Sequence, residues 1–142
     1  MEGALKFHFD VDGENFTSAG EASVQVKKKL RQLGFDAEVI RRVSIAMYEG
    51  EINMVVHARG GKADVLVEPQ CVTIILTDHG PGIADIGLAM QEGYSTAPDN
   101  IRALGFGAGM GLPNMKRYTD SMDIQSEVGK GTVVTMKVCV PE

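Results

Sequence analysis

Between residues 79 and 111 the chain reads HGPGIADIGLAMQEGYSTAPDNIRALGFGAGMG, with eight glycines and two prolines. Glycine and proline at this density rule out a continuous helix or strand. Only IGLAMQ and NIRAL suit short helical pieces. A loop this long inside a compact domain is usually functional or disordered. The regular frame must therefore come from the segments on either side of it.

Those segments are richly patterned. ALKFHFDV alternates apolar and polar residues and reads as a strand ended by a DG turn. SAGEASVQVKKKLRQLGF reads as a helix opened by a capping box of Ser18 and Glu21 and stopped at Gly34. A second helix starts after Asp36, a good N-cap, and runs to about Ala58. ADVLVE and CVTIILTD are rich in β-branched residues and read as a hairpin. After the glycine-rich stretch, LPNMKRYTD suits a helix with Pro113 in its first turn. SMDIQSEV and GTVVTMKVCV are two strands across a GKG turn. The order β-α-α-β-β-loop-α-β-β predicts an α+β two-layer sandwich, with helices on one face of a mixed, mostly antiparallel sheet. At 142 residues this is expected to be a single domain spanning 1–142.

Composition narrows the function classes. The chain is 44 % hydrophobic and 23 % charged, as in ordinary soluble domains. A net charge of −5 argues against direct nucleic-acid binding, which favours a basic face. Small anionic ligands stay open, because backbone N–H groups can hold phosphates. No run approaches the ~18 apolar residues of a membrane span. The start lacks the basic and apolar regions of a signal peptide, so a cytoplasmic protein is expected. Cys71 and Cys139 lie in β-like runs too far apart for a metal spacing, and are expected to be small buried thiols in a reducing compartment.

Three segments carry chemistry. In YEGEINMVVHA, Glu49, Asn53 and His57 recur every fourth residue and drift only about 80° around a helix axis. They thus share one face of an otherwise apolar helix. A buried Asn without a partner costs about 1–3 kcal/mol and an unpaired carboxylate more. Either loop backbone satisfies the stripe or it lines a ligand cleft, where Asn offers oxygen to a hard cation and Glu can accept a proton. In LTDHGPGI, a strand ends in Asp78, followed by Gly80 and Gly82, which allow a sharp turn and close approach to a flat ligand. A carboxylate there suits a donor such as an exocyclic amine, although a simple turn fits equally. In GFGAGMGLPNMK, alternating glycines run into a helix start, a general anion site. Neither the Walker nor the dinucleotide fingerprint is met.

Taken together, Glu…Asn…His on a helix, DxGxG after a strand, GxGxG before a helix and GKGT between strands resemble the signature order of the GHKL ATPases. The resemblance runs from about residue 36 to 140, and the first strand and helix fit the compact form of the same family. It is nearest to the small bacterial serine/threonine kinases that act as anti-sigma factors or stress-signalling switches. YEGEINMVVHA looks like their N box, DHGPGI their first glycine box, and GMGLPNMKRYTDSMDIQSEVGKGTVVTM their second box and closing strands. GYSTA looks like part of their lid. Where many anti-sigma kinases carry RSGMG this chain has GAGMG, and GLPNMKRYTD leans toward the stress-switch branch.

What the resemblance implies is a Bergerat-type, histidine-kinase-like ATPase fold with an ATP lid at about residues 79–111. Asn53 would hold Mg²⁺ on the ATP phosphates, and Glu49 would act as the general base. Asp78 would bond the adenine amine, with Gly80, Gly82 and Ile83 shaping that pocket and Thr132 assisting. Gly107, Gly109, Met110, Gly111 and Leu112 would border the phosphates. His57 reads as an orienting or structural histidine. Arg102 is open between the γ-phosphate, a partner and solvent, and Lys116 is a weaker candidate behind the phosphate loop.

The implied function is an ATP- and Mg²⁺-dependent protein serine/threonine kinase working by partner switching. Its substrate would be a serine on a STAS-type, anti-anti-sigma-like domain, and a sigma factor or phosphatase regulator is a further partner class. A homodimer is compatible with this reading. The alternatives are a non-catalytic ATP-binding interaction module, or the catalytic domain of a histidine kinase. The second lacks support from His8, His57 and His79, because no dimerising helical pair carries an acceptor histidine.

Overall fold

The computed structural model describes residues 5–12, 20–58, 60–83, 86–90 and 111–141. In chain order these form β1 (Leu5–Asp12), α1 (Glu21–Gln32), α2 (Ala37–Ala58), β2 (Gly60–Val67), β3 (Cys71–Asp78), the short α3 (Ile86–Ala89), α4 (Gly111–Arg117), β4 (Ser121–Glu127) and β5 (Gly131–Cys139). The strands make one sheet in the order β1-β2-β3-β5-β4. The α+β sandwich is as expected. Among the described residues, however, all four pairings are antiparallel, so the expected parallel admixture is not seen.

Strand alternation decides which face is covered. Ala63, Val65 and Val67 of β2, Val72, Ile74 and Leu76 of β3, and Val134, Met136 and Val138 of β5 all point inward and are buried. Against them α2 lays Val39, Ile40, Val43, Ala46, Met47 and Met54, while α1 adds Ala22, Val26 and Leu30. Leu112 and Met115 anchor α4 in the same core. At Gly50 the helix and sheet approach so closely that a Cβ would collide with the Leu76 side chain. A mid-helix glycine costs about 0.5–1 kcal/mol relative to alanine, and here it lets α2 seat on β3.

Two helix ends follow the expected rules. At its C-terminus α1 closes in a Schellman motif: Phe35 N–H donates to Leu30 O (3.1 Å) and Gly34 N–H to Arg31 O (3.1 Å). Asp36 caps α2 through Oδ2, which accepts the Glu38 N–H at 3.1 Å. Ser18 of the predicted capping box lies outside the described residues; α1 starts at Glu21, and its N-cap is Gly20 with no side-chain cap of its own. The missing acceptor comes from α2. The Glu51 carboxylate, only 2 % exposed, accepts the backbone N–H groups of Gly20 (3.0 Å), Ala22 (3.3 Å) and Ser23 (2.6 Å). A remote residue thus caps the start of α1.

The cysteines also depart from expectation. Antiparallel pairing of β3 with β5 sets Cys71 opposite Cys139. The Cys139 N–H turns away to Asp120 Oδ2 (2.6 Å), which marks the close, non-hydrogen-bonded type of pair. The Cα atoms are 4.0 Å apart, and the two residues form a disulfide rather than two free thiols. Both are half-buried rather than enclosed.

On the outer face, His8 of β1 stands opposite Asp64 of β2. Its Nδ1 is 2.6 Å from Asp64 Oδ1, and its Nε2 is 3.3 Å from Asp10 Oδ1. The hydrogen bond to Asp64, helped by Asp10, raises the imidazole pKa above its ordinary 6.5. A raised folded pKa means that this group's contribution is fully present below 6.5 and is lost as pH climbs through the folded value. The melting temperature is therefore expected to fall modestly over that window, and the His8→Gln variant should flatten the decline. An identical pH profile in the variant would contradict the assignment.

Candidate functional site

The stripe of α2 lies half-buried, with Glu49, Asn53 and His57 at the boundary between core and solvent. What faces it is the start of α4. The position a Cβ would take at Gly111 is 3.7 Å from Glu49 Oε2 and 4.0 Å from Asn53 Oδ1. Bare backbone therefore meets the two polar side chains of α2, leaving room for a small group beside both oxygens. One neighbour of this cluster was not singled out from sequence: Asn114 on α4. Burial raises the Glu49 pKa above the usual glutamate value, and the Asn114 side chain partly offsets this. Asn114 gave no periodic signal, because it sits in a helix of only two turns.

Several contacts fix α4 against α2. Arg42 Nε donates to Tyr118 O at 3.2 Å, and its Nη2 reaches Asp120 Oδ1 at 3.0 Å. Arg41 lies 5.4 Å from the centre of the Tyr118 ring.

The second part of the site lies at the end of β3. Asp78 pairs with Thr132 of β5. Its Oδ1 accepts the N–H groups of Gly80 (2.9 Å) and Thr132 (3.2 Å). Among the described residues these hydrogen bonds fall on one carboxylate oxygen, so Oδ2 is available to an outside donor. Thr132 Oγ1 is 2.8 Å from Ser126 Oγ, which accepts the Ile83 N–H at 2.7 Å and donates to Gly131 O at 3.2 Å. With the Ser126 proton on that carbonyl, the Thr132 hydroxyl must donate to Ser126. Ser126 is the second residue missed from sequence. Its signal was there: alternation along β4 puts Met122, Ile124 and Ser126 on the inward face, and a polar residue in that series needs a reason.

The glycines fit the chain around this carboxylate. A Cβ at Gly80 would stand 2.6 Å from Ala58 Cβ, so the loop presses on the last turn of α2. Gly82 has φ of +79°, and a Cβ there would run into the backbone of Glu127. The loop is clasped from the other side by Gly129 N–H donating to Pro81 O at 2.9 Å. Asn53 precedes Ala58 by five residues, about 7.5 Å along the helix, so α2 links both parts of the site.

The other sequence candidates distribute as follows. Leu112 directs its side chain into the core, where it is 7 % exposed. Ile83 is half-buried and packs on the same core. Lys116 is exposed on α4. Gly107, Gly109, Met110 and Arg102 lie outside the described residues. Among the described residues no three His, Cys, Asp or Glu side chains cluster as a metal cage. A divalent ion here would need a ligand set of the magnesium kind, with one or two protein oxygens completed by phosphates and waters. The Asn53 amide oxygen fits that requirement. Among the described residues no helix is long and apolar enough to cross a membrane.

An antiparallel sandwich with a polar helix stripe facing a glycine-led helix, and a carboxylate closing a central strand, defines an ATPase architecture of the histidine-kinase type. The histidine kinase-like ATPase domain matches residues 15–138, and the chain belongs to that family. It is 34 % identical over 122 residues to the anti-sigma F factor of Clostridium novyi, covering 82 % of each chain. To the anti-sigma F factor of Clostridium acetobutylicum it is 33 % identical over 138 residues, covering 94 % of this chain and 90 % of that one. Among solved structures, it superposes on the RsbU and RsbW domains of Rv1364c from Mycobacterium tuberculosis with a TM-score of 0.64. That match is 17 % identical and covers 96 % of this chain and 33 % of the other, so it speaks to the fold alone.

Proposed function

We propose that this chain is an ATP- and Mg²⁺-dependent protein serine/threonine kinase acting as a partner-switching anti-sigma regulator. The observation that carries the reading is the meeting of Glu49, Asn53 and Gly111 on one side of α2, with the Asp78–Thr132 pair at its far end. Asp78 Oδ2 would accept the adenine amine, Thr132 and Ser126 would border the base, and Asn53 Oδ1 would hold Mg²⁺ on the phosphates. Mg²⁺ supplies charge neutralisation at the transferring phosphoryl group. Phosphoryl transfer asks the protein mainly for positioning and a proton acceptor. Glu49 takes the proton from the attacking serine hydroxyl as its oxygen bonds to the γ-phosphorus and the bond to the departing ADP oxygen breaks. A base whose pKa burial holds above the ordinary glutamate value suits that role.

The relatives named anti-sigma F factor support a sigma factor as the partner in one state; in the other the partner would be a STAS-type protein that accepts phosphate on a serine. Such exchange would take place in the cytoplasm. Incubation of the full chain with Mg-ATP and a candidate STAS domain, followed by phosphosite mapping, is expected to find phosphoserine on that partner. In the same assay Asp78→Asn, which keeps Oδ1 but puts a donor where an acceptor is needed, should weaken ATP binding about 10- to 100-fold. Unmodified partners together with wild-type ATP affinity in Asp78→Asn would leave the proposal without support.

A further inference from the structure

We infer that the Cys71–Cys139 disulfide is a thiol-exchange site: a small thiol bearing both ammonium and carboxylate groups enters the cavity beside Cys71 and bonds to its Sγ. The inference stands apart from the nucleotide site.

Three observations carry it, and the first is access. Val72 and Val138 are buried in the core, so strand alternation turns Cys71 and Cys139 to the opposite face of the sheet, away from α1 and α2. Both cysteines are half-buried. Cys71 lines a cavity of about 350 Å³ together with Glu68, Pro69, Gln70 and Lys137, a volume that suits a small molecule.

The second observation is direction. A thiolate displaces a thiolate along the S–S axis, so it must reach Cys71 from the side away from Cys139. Cys139 lies on β5, whereas β2 flanks β3 on the other side. The β2–β3 turn therefore stands on the side of approach, and its residues Glu68, Pro69 and Gln70 wall the cavity. The third observation is charge. Lys137 brings a cation to the cavity and Glu68 a carboxylate, so a ligand carrying both opposite charges is matched at each end.

In the exchange, the incoming thiolate bonds to Cys71 Sγ as the S–S bond breaks. The electron pair leaves on Cys139 Sγ, which takes a proton from water. A second molecule of the thiol then attacks the bound one and releases the Cys71 thiolate. Two thiols are thereby oxidised to one disulfide while the protein disulfide is reduced to two thiols. The sheet does not depend on the bond. Register pairs from Val72↔Val138 to Asp78↔Thr132 continue beside it, and Val140 N–H donates to Gln70 O at 2.8 Å just beyond it. Cys139 is also held by its own N–H on Asp120 Oδ2. The two sulfurs thus stay neighbours when reduced, and the oxidised form of the same thiol restores the bond by the reverse steps.

The test uses the full chain without denaturant, with reduced glutathione as the doubly charged probe and 2-mercaptoethanol as the neutral one. After a quench with iodoacetamide, peptide mapping should find glutathione on Cys71 and the alkyl group on Cys139. With glutathione disulfide, the Cys139→Ser variant should be modified at Cys71 about tenfold faster than Cys71→Ser is at Cys139. In Lys137→Gln the ratio of the glutathione rate to the 2-mercaptoethanol rate should fall about two- to fivefold, the worth of an exposed ion pair. A disulfide that resists reduced glutathione until the chain is unfolded would overturn the inference, as would equal modification of the two cysteines. An unchanged rate ratio in Lys137→Gln would overturn the assigned ligand class.

Discussion

Replacing Glu49 with glutamine is expected to leave ATP bound while phosphoryl transfer falls by about 10²- to 10⁴-fold, the usual worth of a positioned proton acceptor. The substitution is close to isosteric, and the nucleotide-binding elements assigned to Asp78, Thr132 and Asn53 are untouched. Affinity for Mg-ATP should therefore change little while the chemical step slows. Nucleotide binding by calorimetry beside partner phosphorylation by mass spectrometry reads the two separately. Near-normal transfer in Glu49→Gln would remove this side chain from the mechanism. The pH dependence follows from burial. Glu49 titrates above the ordinary glutamate range, so in the wild type the acid limb of the transfer rate should lie above 4.5, with transfer rising as the carboxylate ionises.

Two positions along, removal of a glutamate should do something different. Glu51→Ala is expected to cost about 3 kcal/mol of folding stability, or roughly 10 °C in melting temperature. Glu51 supplies the acceptor for three N–H groups at the start of α1. Its removal leaves those donors without a protein partner at a site that is 2 % exposed. Burial keeps its carboxyl above the usual glutamate pKa despite the three donors. A raised folded pKa means the group favours folding most below 4.5 and less as pH rises through the folded value. Thermal or urea unfolding checks the size of the effect. A loss under about 1 kcal/mol would show that water replaces the carboxylate at little cost.

The contrast between these glutamates explains what the sequence could and could not disclose. Spacing alone put Glu49, Asn53 and His57 on one face and Glu51 on another. It could not say what Glu51 met there. A local S-x-x-E pattern instead suggested Ser18 as the cap of α1, whereas the acceptor comes from some thirty residues downstream through helix packing. Asp78 with its glycines was visible because a strand end and a turn are local features. Asn114 and Ser126 were not, since each gains its role only when α4 meets α2 or β4 meets β5. The same holds for Cys71 and Cys139, 68 residues apart, which become neighbours through a register that no local pattern encodes. Patterns along the chain identify faces. Partners across the fold depend on topology.

Gly50 lies between the two glutamates, and its contact with Leu76 works as a spacer of zero thickness. Any side chain at residue 50 would push α2 away from Leu76 of the sheet, and would carry Glu49 and Asn53 with it. The seating of the site is thus set on a neighbouring stripe of the same helix, by an atom the residue does not have.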